Sequence, residues 1–173
     1  CIRDSFYSYT GNIFAELFNA SEFRLKNGLK VIVVENDRAP IVSQMIWYNV
    51  GSVDEEYGKS GLAHFLEHLM FKVTTQFPNG YFSKYISKNG GSENAFTSFD
   101  YTAYYQIVPS DKVEKIIELE SDRMRNLTLT KEQVETEKKV ILEERYQRID
   151  SSPSAILDES MRKSLFPNHA YGT

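Results

Sequence analysis

Two histidines and a glutamate within five residues are the side chains of this chain whose types and spacing could do chemistry. They lie in the pentapeptide His64-Phe65-Leu66-Glu67-His68. On a helix, histidines four positions apart point the same way, one turn apart, so both rings can hold one metal ion. Glu67 is close enough to both histidines to reach a water at that metal. This order of residues is the inverted zincin pattern H-x-x-E-H, which indicates a zinc peptidase.

A purely structural role for the same residues is the alternative. A pattern with three fixed letters also arises by chance, and histidines in a buried helix can hydrogen-bond to the core. The surrounding stretch 62–71 favours the metal, because it is apolar nearly all round and predicts a buried helix. Three ionisable groups in such a helix cost on the order of several kcal/mol unless they are partnered, and a metal ion would partner all of them.

Composition excludes several other classes of protein. The chain has 173 residues, 41% of them hydrophobic, which suits about one domain with a sizeable core. Its net charge of −4 argues against a nucleic-acid-binding protein, which usually has a basic face. No apolar stretch approaches the roughly 20 residues that span a bilayer, so no transmembrane segment is expected. Cys1 is the single cysteine, which excludes a thiolate ligand near the histidines.

The hydropathy pattern predicts an α+β fold. Three strands come first, with Asn27-Gly28 as the hairpin turn between the first two, and the order continues as β-β-β-α-α-β-β-α-α-α. This order predicts a largely antiparallel mixed sheet with helices packed on one face. Residues 1–20 are expected to form an irregular N-terminal arm, and residues 21–173 the zinc-binding domain. The expected strands lie near 23–25, 30–35, 41–50, 92–97 and 101–108, and the helices near 62–71, 81–88, 110–125, 131–149 and 154–165.

Polar residues mark the expected helix starts. Ser60 is predicted as the N-cap of the motif helix and Ser154 as the N-cap of the last helix. Thr130 and Gln133 have the spacing of a capping box at the head of the long fourth helix.

The long helix over residues 131–149 offers a third metal ligand. A catalytic zinc usually has three protein ligands, and without a nearby cysteine a carboxylate is the natural candidate. At about 100° per residue, Glu137 and Glu144 differ by only about 20° and share a face with Val134 and Ile141. Two carboxylates on this apolar side are expensive to bury without a cation. The residues alone do not decide which of the two would bind the metal, and pairing with Lys or Arg of a neighbouring helix is the alternative.

The motif and its surroundings resemble the pitrilysin/insulinase family of metallopeptidases, in particular the bacterial relatives of the mitochondrial processing peptidase β-subunit. The resemblance covers roughly residues 23–172. One position departs from it, since the family's usual Phe-Lys-Gly-Thr is here Phe71-Lys72-Val73-Thr74, and this leaves the conformation of the loop open. The motifs that carry the resemblance are Gly51-Ser52-Val53-Asp54-Glu55-Glu56, the run from Gly58 to Phe71, Asn89-Gly90-Gly91, Asn94-Ala95-Phe96-Thr97-Ser98, Tyr101-Thr102, and Glu137-Lys138-Lys139-Val140-Ile141-Leu142-Glu143-Glu144.

This resemblance implies the roles of the site residues. Zn²⁺ would be held by His64, His68 and Glu144. Glu67 would be the general base that activates the zinc-bound water, and Glu137 would be an auxiliary acidic residue of the catalytic site. The fold implied is the half-domain of the processing-peptidase type.

The strand over residues 92–97 would bind the substrate. In the family the matching strand pairs edge-on with an extended peptide, and Asn94 and Ala95 occupy the matching positions here. Edge pairing reads main-chain groups, so it suits unfolded or extended peptides of varied sequence. A role for these residues in the hairpin alone is the alternative.

The resemblance therefore implies a zinc-dependent metalloendopeptidase. Family members build a closed chamber from two related halves or from paired subunits, so a second homologous half or a partner subunit is expected. The chain resembles the first half only, truncated at its C-terminal end, and a catalytically incompetent fragment or a scaffold subunit is the alternative. A lyase of the S-ribosylhomocysteine type also uses H-x-x-E-H but needs a downstream cysteine, which is missing here. Likeness to exported bacterial relatives favours a bacterial protein in the periplasm over the cytoplasm.

Overall fold

A computed structural model describes residues 19–172, so Cys1 and nearly all of the expected N-terminal arm lie outside the described residues. The chain divides into a compact unit that ends at Pro40 and a second that begins at Ile41. In the first unit, β1 (Ala20–Arg24) and β2 (Lys30–Val34) form an antiparallel hairpin. The predicted turn is confirmed, with Gly28 at φ +90°, a conformation that glycine adopts without strain.

The second unit combines a three-stranded antiparallel sheet with five helices. The strands are β3 (Ile41–Tyr48), β4 (Ser92–Thr97) and β5 (Thr102–Pro109), in the spatial order β3-β5-β4. The helices are α1 (Leu62–Leu69), α2 (Tyr81–Lys88), α3 (Val113–Asn126), α4 (Lys131–Arg145) and α5 (Pro153–Leu165). The predicted α+β class and order of elements are confirmed. No helix in this described part of the chain has the length and apolarity needed to cross a membrane.

One face of the three-stranded sheet carries the core. Tyr104 and Val108 of β5 are buried, whereas Ile107 is 39% exposed, because successive side chains of a strand point to opposite faces. Val108 packs against Ile86 of α2 and Ile116 of α3. The predicted packing of helices on one face of the sheet is confirmed.

Helix α1 begins without the predicted serine cap. Its N-cap is Gly61, at φ +96°, which has no side chain that could accept a hydrogen bond from the first helical N–H groups. The carboxylate of Glu55 accepts hydrogen bonds from the backbone N–H groups of Gly61 and Ala63, each at 2.7 Å. A carboxylate there also interacts favourably with the positive end of the helix dipole. The Ser60 prediction is therefore wrong, because Glu55 reaches these N–H groups from an upstream loop.

The later helices follow the capping rules more closely. Thr130 and Gln133 form the predicted capping box at the start of α4. Helix α5 is capped by the hydroxyl of Ser152 and not by Ser154. It starts earlier than predicted because Pro153 suits the first helical position, where its missing N–H costs no hydrogen bond.

The apolar run around the motif overstated the burial of α1. Glu67 and Leu69 are buried, whereas Leu62 and Leu66 are each 50% exposed. Composition predicted that every side of the helix would be covered, but residues 41–172 pack against one side of it.

The loop after α1 accommodates Val73 where the family usually has glycine. Among the described non-glycine residues only Asn19 has a positive φ, so Val73 adopts an ordinary backbone conformation. Its carbonyl accepts a hydrogen bond from the N–H of Thr128 at 2.9 Å, and the next residue, Thr74, forms a β-bridge with Leu127. The conformation of this loop therefore does not require a glycine.

A buried ion pair between Arg123 and Glu120 of α3 lies in the core. The two residues are 2% and 3% exposed, and the guanidinium of Arg123 lies 4.3 Å from the ring centre of Tyr104. Burial raises the pKa of Glu120, while Arg123 acts in the opposite direction. A buried charge without its partner costs far more than an exposed one, so each residue needs the other.

Replacement of Arg123 by methionine is expected to destabilise the full-length protein by about 3–5 kcal/mol near neutral pH, because Glu120 is left as an unpaired buried charge. The loss should shrink as the pH falls. Without Arg123 the pKa of Glu120 rises further, so the folded state takes up a proton that the unfolded state does not, and this favours folding in acid. Urea unfolding of the variant and the wild type at about pH 7 and about pH 5 measures the difference. Arg125→Met, at an exposed position of the same helix, is the control. Equal losses at both pH values would contradict the raised pKa.

Candidate metal centre

His64 and His68 face each other on α1, one turn apart. Their Nε2 atoms are 3.2 Å apart, and the planes of the two rings are inclined at 87°. Two unprotonated imidazole nitrogens at this distance repel each other unless a proton or a cation lies between them. The pair therefore forms one side of a potential cation site.

Helix α4 brings a carboxylate to the same point. Glu144 Oε2 lies 3.7 Å from His64 Nε2 and 3.4 Å from His68 Nε2. Ligands about 2.0–2.1 Å from a tetrahedral zinc are separated from one another by about 3.3 Å, so the three spacings fit such an ion. Within residues 19–172 these side chains form the one group of His, Cys, Asp and Glu arranged to hold a metal. Two imidazoles and a carboxylate leave a fourth position open, as catalytic zinc sites do.

Glu137 lies on the same face of α4 but contacts a different atom. It is 7% exposed, and its Oε1 lies 3.0 Å from Nδ1 of His68. Its other oxygen pairs with the ammonium group of Lys72. Burial raises the pKa of Glu137, but hydrogen bonds from Lys72 and His68 outweigh it, so the pKa lies below its ordinary value. An ionised Glu137 holds the His68 proton on Nδ1 and leaves the Nε2 lone pair facing the cluster, as outer carboxylates do at metal sites.

Glu144 is held from its other side by Arg148. Arg148 Nη1 lies 3.0 Å from Glu144 Oε1, which leaves Oε2 facing the histidines. Arg148 belongs to the π-helical turn Tyr146–Asp150 that follows α4, where the sequence predicted an unbroken α-helix to Ile149. π turns are rare and occur frequently at functional sites.

Glu67 points to the buried side of α1. It is 8% exposed, and its Oε2 accepts a hydrogen bond from the hydroxyl of Thr97 at 2.5 Å. No other hydrogen bond to this carboxylate occurs among the described residues, so Oε1 remains available to a substrate or a water. The carboxylate of Glu67, the predicted general base, is therefore hydrogen-bonded to one residue of β4.

Asn94 and Ala95 lie on β4, which is an edge strand of the three-stranded sheet. Asn94 is exposed, and its Oδ1 accepts the N–H of Ala95 at 2.9 Å. The other side of β4 pairs with β5. Because the same strand ends at Thr97, it connects an open sheet edge to the carboxylate of Glu67.

Sequence reasoning missed three residues that hold the site side chains in place: Lys72, Thr97 and Arg148. Thr97 stands in a motif that carried the family resemblance and Lys72 directly follows one, but a motif does not say which side chain each residue contacts. For Arg148 a signal was present, because a residue four positions after Glu144 on a helix lies beside it.

Comparison with known proteins identifies a family and several relatives that this chain resembles. Residues 30–173 match the protein family described as insulinase, peptidase family M16. The zinc protease PqqE of Helicobacter pylori is 38% identical over 148 residues, which cover 85% of this chain and 33% of that protein. The mitochondrial-processing peptidase subunit beta of Blastocladiella emersonii is 33% identical over 149 residues, covering 86% of this chain and 32% of that subunit.

The fold is shared with a solved structure as well. The crystal structure of a protease from Helicobacter pylori matches with a TM-score of 0.85 at 36% sequence identity, over 88% of this chain and 37% of that one. The chain thus spans about a third of the length of the curated relatives it matches. The family match covers most of the chain and includes the whole H-x-x-E-H motif, so the chain belongs to the insulinase family of peptidases, family M16.

Proposed function

We propose that the protein is a zinc-dependent metalloendopeptidase that hydrolyses peptide bonds in unfolded or extended peptides. In this proposal His64, His68 and Glu144 hold Zn²⁺, and Glu67 is the general base. The observation that carries it is the approach of Glu144 Oε2 to both Nε2 atoms at spacings that suit one tetrahedral zinc. The relatives named as zinc proteases support the same metal.

In the proposed reaction Glu67 accepts and later donates the proton. Zinc held by two neutral imidazoles and one carboxylate has a net charge of about +1, and it supplies a Lewis acid that polarises the peptide carbonyl and makes water more acidic. Oε1 of Glu67 accepts a proton from the water whose oxygen bonds to the carbonyl carbon. Glu67 then gives this proton to the peptide nitrogen as the C–N bond breaks, so a carboxylic acid and an amine result.

Glu137 acts through His68 in this proposal and does not touch the substrate. Its contact with Nδ1 keeps the imidazole in the tautomer that offers Nε2 to a metal. Lys72 neutralises the charge of Glu137, so the second carboxylate of α4 does not offset the positive charge of the ion.

The substrate is proposed to pair with the free edge of β4 at Asn94 and Ala95. The N–H of Ala95 now donates to Oδ1 of Asn94, and it would donate to a main-chain carbonyl of the incoming strand instead. Pairing of this kind uses main-chain groups, which supports extended peptides of varied sequence as the substrate class.

Activity is proposed to require a second homologous half or a partner subunit. The chain matches only about a third of each of the two relatives named above, one of which is by name a subunit. The alternative, a catalytically incompetent or scaffold subunit, predicts zinc binding without peptide cleavage even in the full-length protein with its partner.

The compartment is proposed to be the bacterial periplasm. Relatives of this chain include zinc proteases of Helicobacter pylori and other bacteria. Cell fractionation of a Gram-negative host that expresses the tagged full-length protein is expected to recover it with periplasmic marker enzymes. Recovery with cytoplasmic markers would contradict this part of the proposal.

Glu67→Gln in the full-length protein is expected to keep its zinc but to lose about 10²–10⁴-fold in turnover, because an amide cannot accept the proton of the water. Metal analysis and cleavage of an unstructured fluorogenic peptide measure the two effects. Glu135→Gln, at an exposed position of α4, is the control. Wild-type turnover of the Glu67 variant would remove this residue from the role of base.

Glu144→Gln is expected to lower zinc affinity by more than about 100-fold, because loss of a ligand costs more than loss of an outer partner, which costs about 10–100-fold. Competition with a chromophoric chelator measures the affinity. The neighbouring exposed carboxylate supplies the control variant, Glu143→Gln. Equal zinc affinity of the two variants would show that the cluster is not the metal site.

A further inference from the structure

We infer that Thr97 is a positioning residue that orients Glu67 and so links the substrate-binding edge of β4 to the general base. The inference rests on the proposed function, because it takes Glu67 to be the base. It starts from the distance of 2.5 Å between Thr97 Oγ1 and Glu67 Oε2. Nothing in the motif itself requires this contact, since the two residues are 30 positions apart.

The hydrogen bond is strong because one partner is a buried carboxylate. Glu67 is 8% exposed, and within the part of the chain that the structure describes the Thr97 hydroxyl is its one hydrogen-bond donor. Bonds from a hydroxyl to a carboxylate at about 2.5–2.7 Å are roughly twice as strong as bonds between neutral groups. The last side-chain torsion angle of a glutamate, χ3, has a broad energy minimum, so this single hydrogen bond sets the orientation of the carboxylate. Thr97 occupies Oε2 and leaves Oε1 for the proton of the water.

Thr97 is itself held by the sheet. It is the ladder partner of Thr102 on β5, and the two hydroxyl oxygens are 3.3 Å apart. Thr102 donates its proton to the carbonyl of Val50 at 3.0 Å. The proton of Thr97 thus has two acceptors within reach, and the nearer, charged oxygen of Glu67 takes it.

The position of Thr97 on β4 gives the contact its functional meaning. Thr97 follows Ala95 by two residues, so their side chains point to the same face of the strand. The strand proposed to pair with the substrate therefore also carries the donor that turns the base. A peptide that pairs with β4 reduces the mobility of this strand. The hydrogen bond from Thr97 then also restricts the orientation of the Glu67 carboxylate.

The test compares three variants of the full-length natural protein loaded with zinc. Thr97→Val removes the hydroxyl and nearly keeps the shape, whereas Thr97→Ser keeps the hydroxyl. The valine variant is expected to lose about 10–100-fold in kcat with KM changed by less than about twofold, and the serine variant to retain most of its kcat. Zinc content should be unchanged. Thr128→Val makes the same change at an exposed threonine whose hydroxyl lies 3.4 Å from a backbone carbonyl, and should leave kcat unchanged.

A second measurement needs neither metal nor substrate. In metal-free protein, Thr97→Val is expected to lower the Tm when Glu67 is present but not when Glu67 is replaced by alanine, because the acceptor is then already gone. An equal shift of the Tm in both backgrounds would show that the two side chains are not coupled, and this would overturn the inference.

The outcomes separate this inference from the proposed function. Wild-type kcat of the Thr97→Val variant together with an inactive Glu67→Gln variant overturns the role of Thr97 and leaves the peptidase proposal intact. Wild-type kcat of the Glu67→Gln variant overturns the role of the base itself. If the valine variant does not fold, Thr97→Ala replaces it. Recovery of kcat by serine relative to alanine supports the inference, and equal loss in both contradicts it.

Discussion

The approach of a carboxylate from α4 to two imidazoles from α1 is the contact on which the arrangement of the site depends. Helical spacing turns Glu137 and Glu144 to the same side, toward α1, and neither can be buried there at low cost without a positive partner. Glu137 forms an ion pair with Lys72 and accepts a hydrogen bond from Nδ1 of His68. One oxygen of Glu144 forms an ion pair with Arg148. The other oxygen of Glu144 faces the Nε2 atoms of His64 and His68, an arrangement that suits a divalent cation. The interface of the two helices at the site is thus formed by charged and polar groups, so the proposed metal would link their packing.

Several parts of the site are held by residues from other parts of the chain. Glu55 fixes the start of α1 from a loop, Glu137 fixes the ring of His68 from α4, and Thr97 fixes Glu67 from β4. Such supports restrict the rotamers of the held side chains, which in the proposed function would place the reacting groups before a substrate arrives. A site of this kind depends on the tertiary fold of the whole second unit rather than on the pentapeptide alone.

The sequence predicted the features that follow from periodicity. Spacings of four and seven residues were enough to predict that the histidines share a side of α1 and that two glutamates share a side of α4, and alternation with turn residues predicted the order of the elements. Contacts between distant residues were not predictable in this way. The Ser60 prediction was wrong because capping rules consider only residues next to the helix start, whereas Glu55 reaches it from six residues upstream. The burial of α1 was overstated because composition does not say which side of a helix is packed. The π-helical turn was not predicted because its side-chain pattern is locally the same as that of an α-helix.

The edge of β4, unpaired within the described residues, shows how a strand proposed to bind peptides can be both protected and available. An exposed edge offers unpaired main-chain groups to any other strand, which invites aggregation. Here the side chain of Asn94 satisfies the N–H of Ala95, so that group is not left free. In the proposed reaction an incoming peptide exchanges one hydrogen bond for another, and such an exchange contributes little net free energy, about 1 kcal/mol or less. In this proposal, pairing with β4 would discriminate weakly between sequences, and the choice of the bond to be cut would depend on how the strand aligns the peptide with Glu67. Because Thr97 joins that strand to Glu67, the proposed alignment of the peptide and the proposed proton transfer would be controlled by the same element.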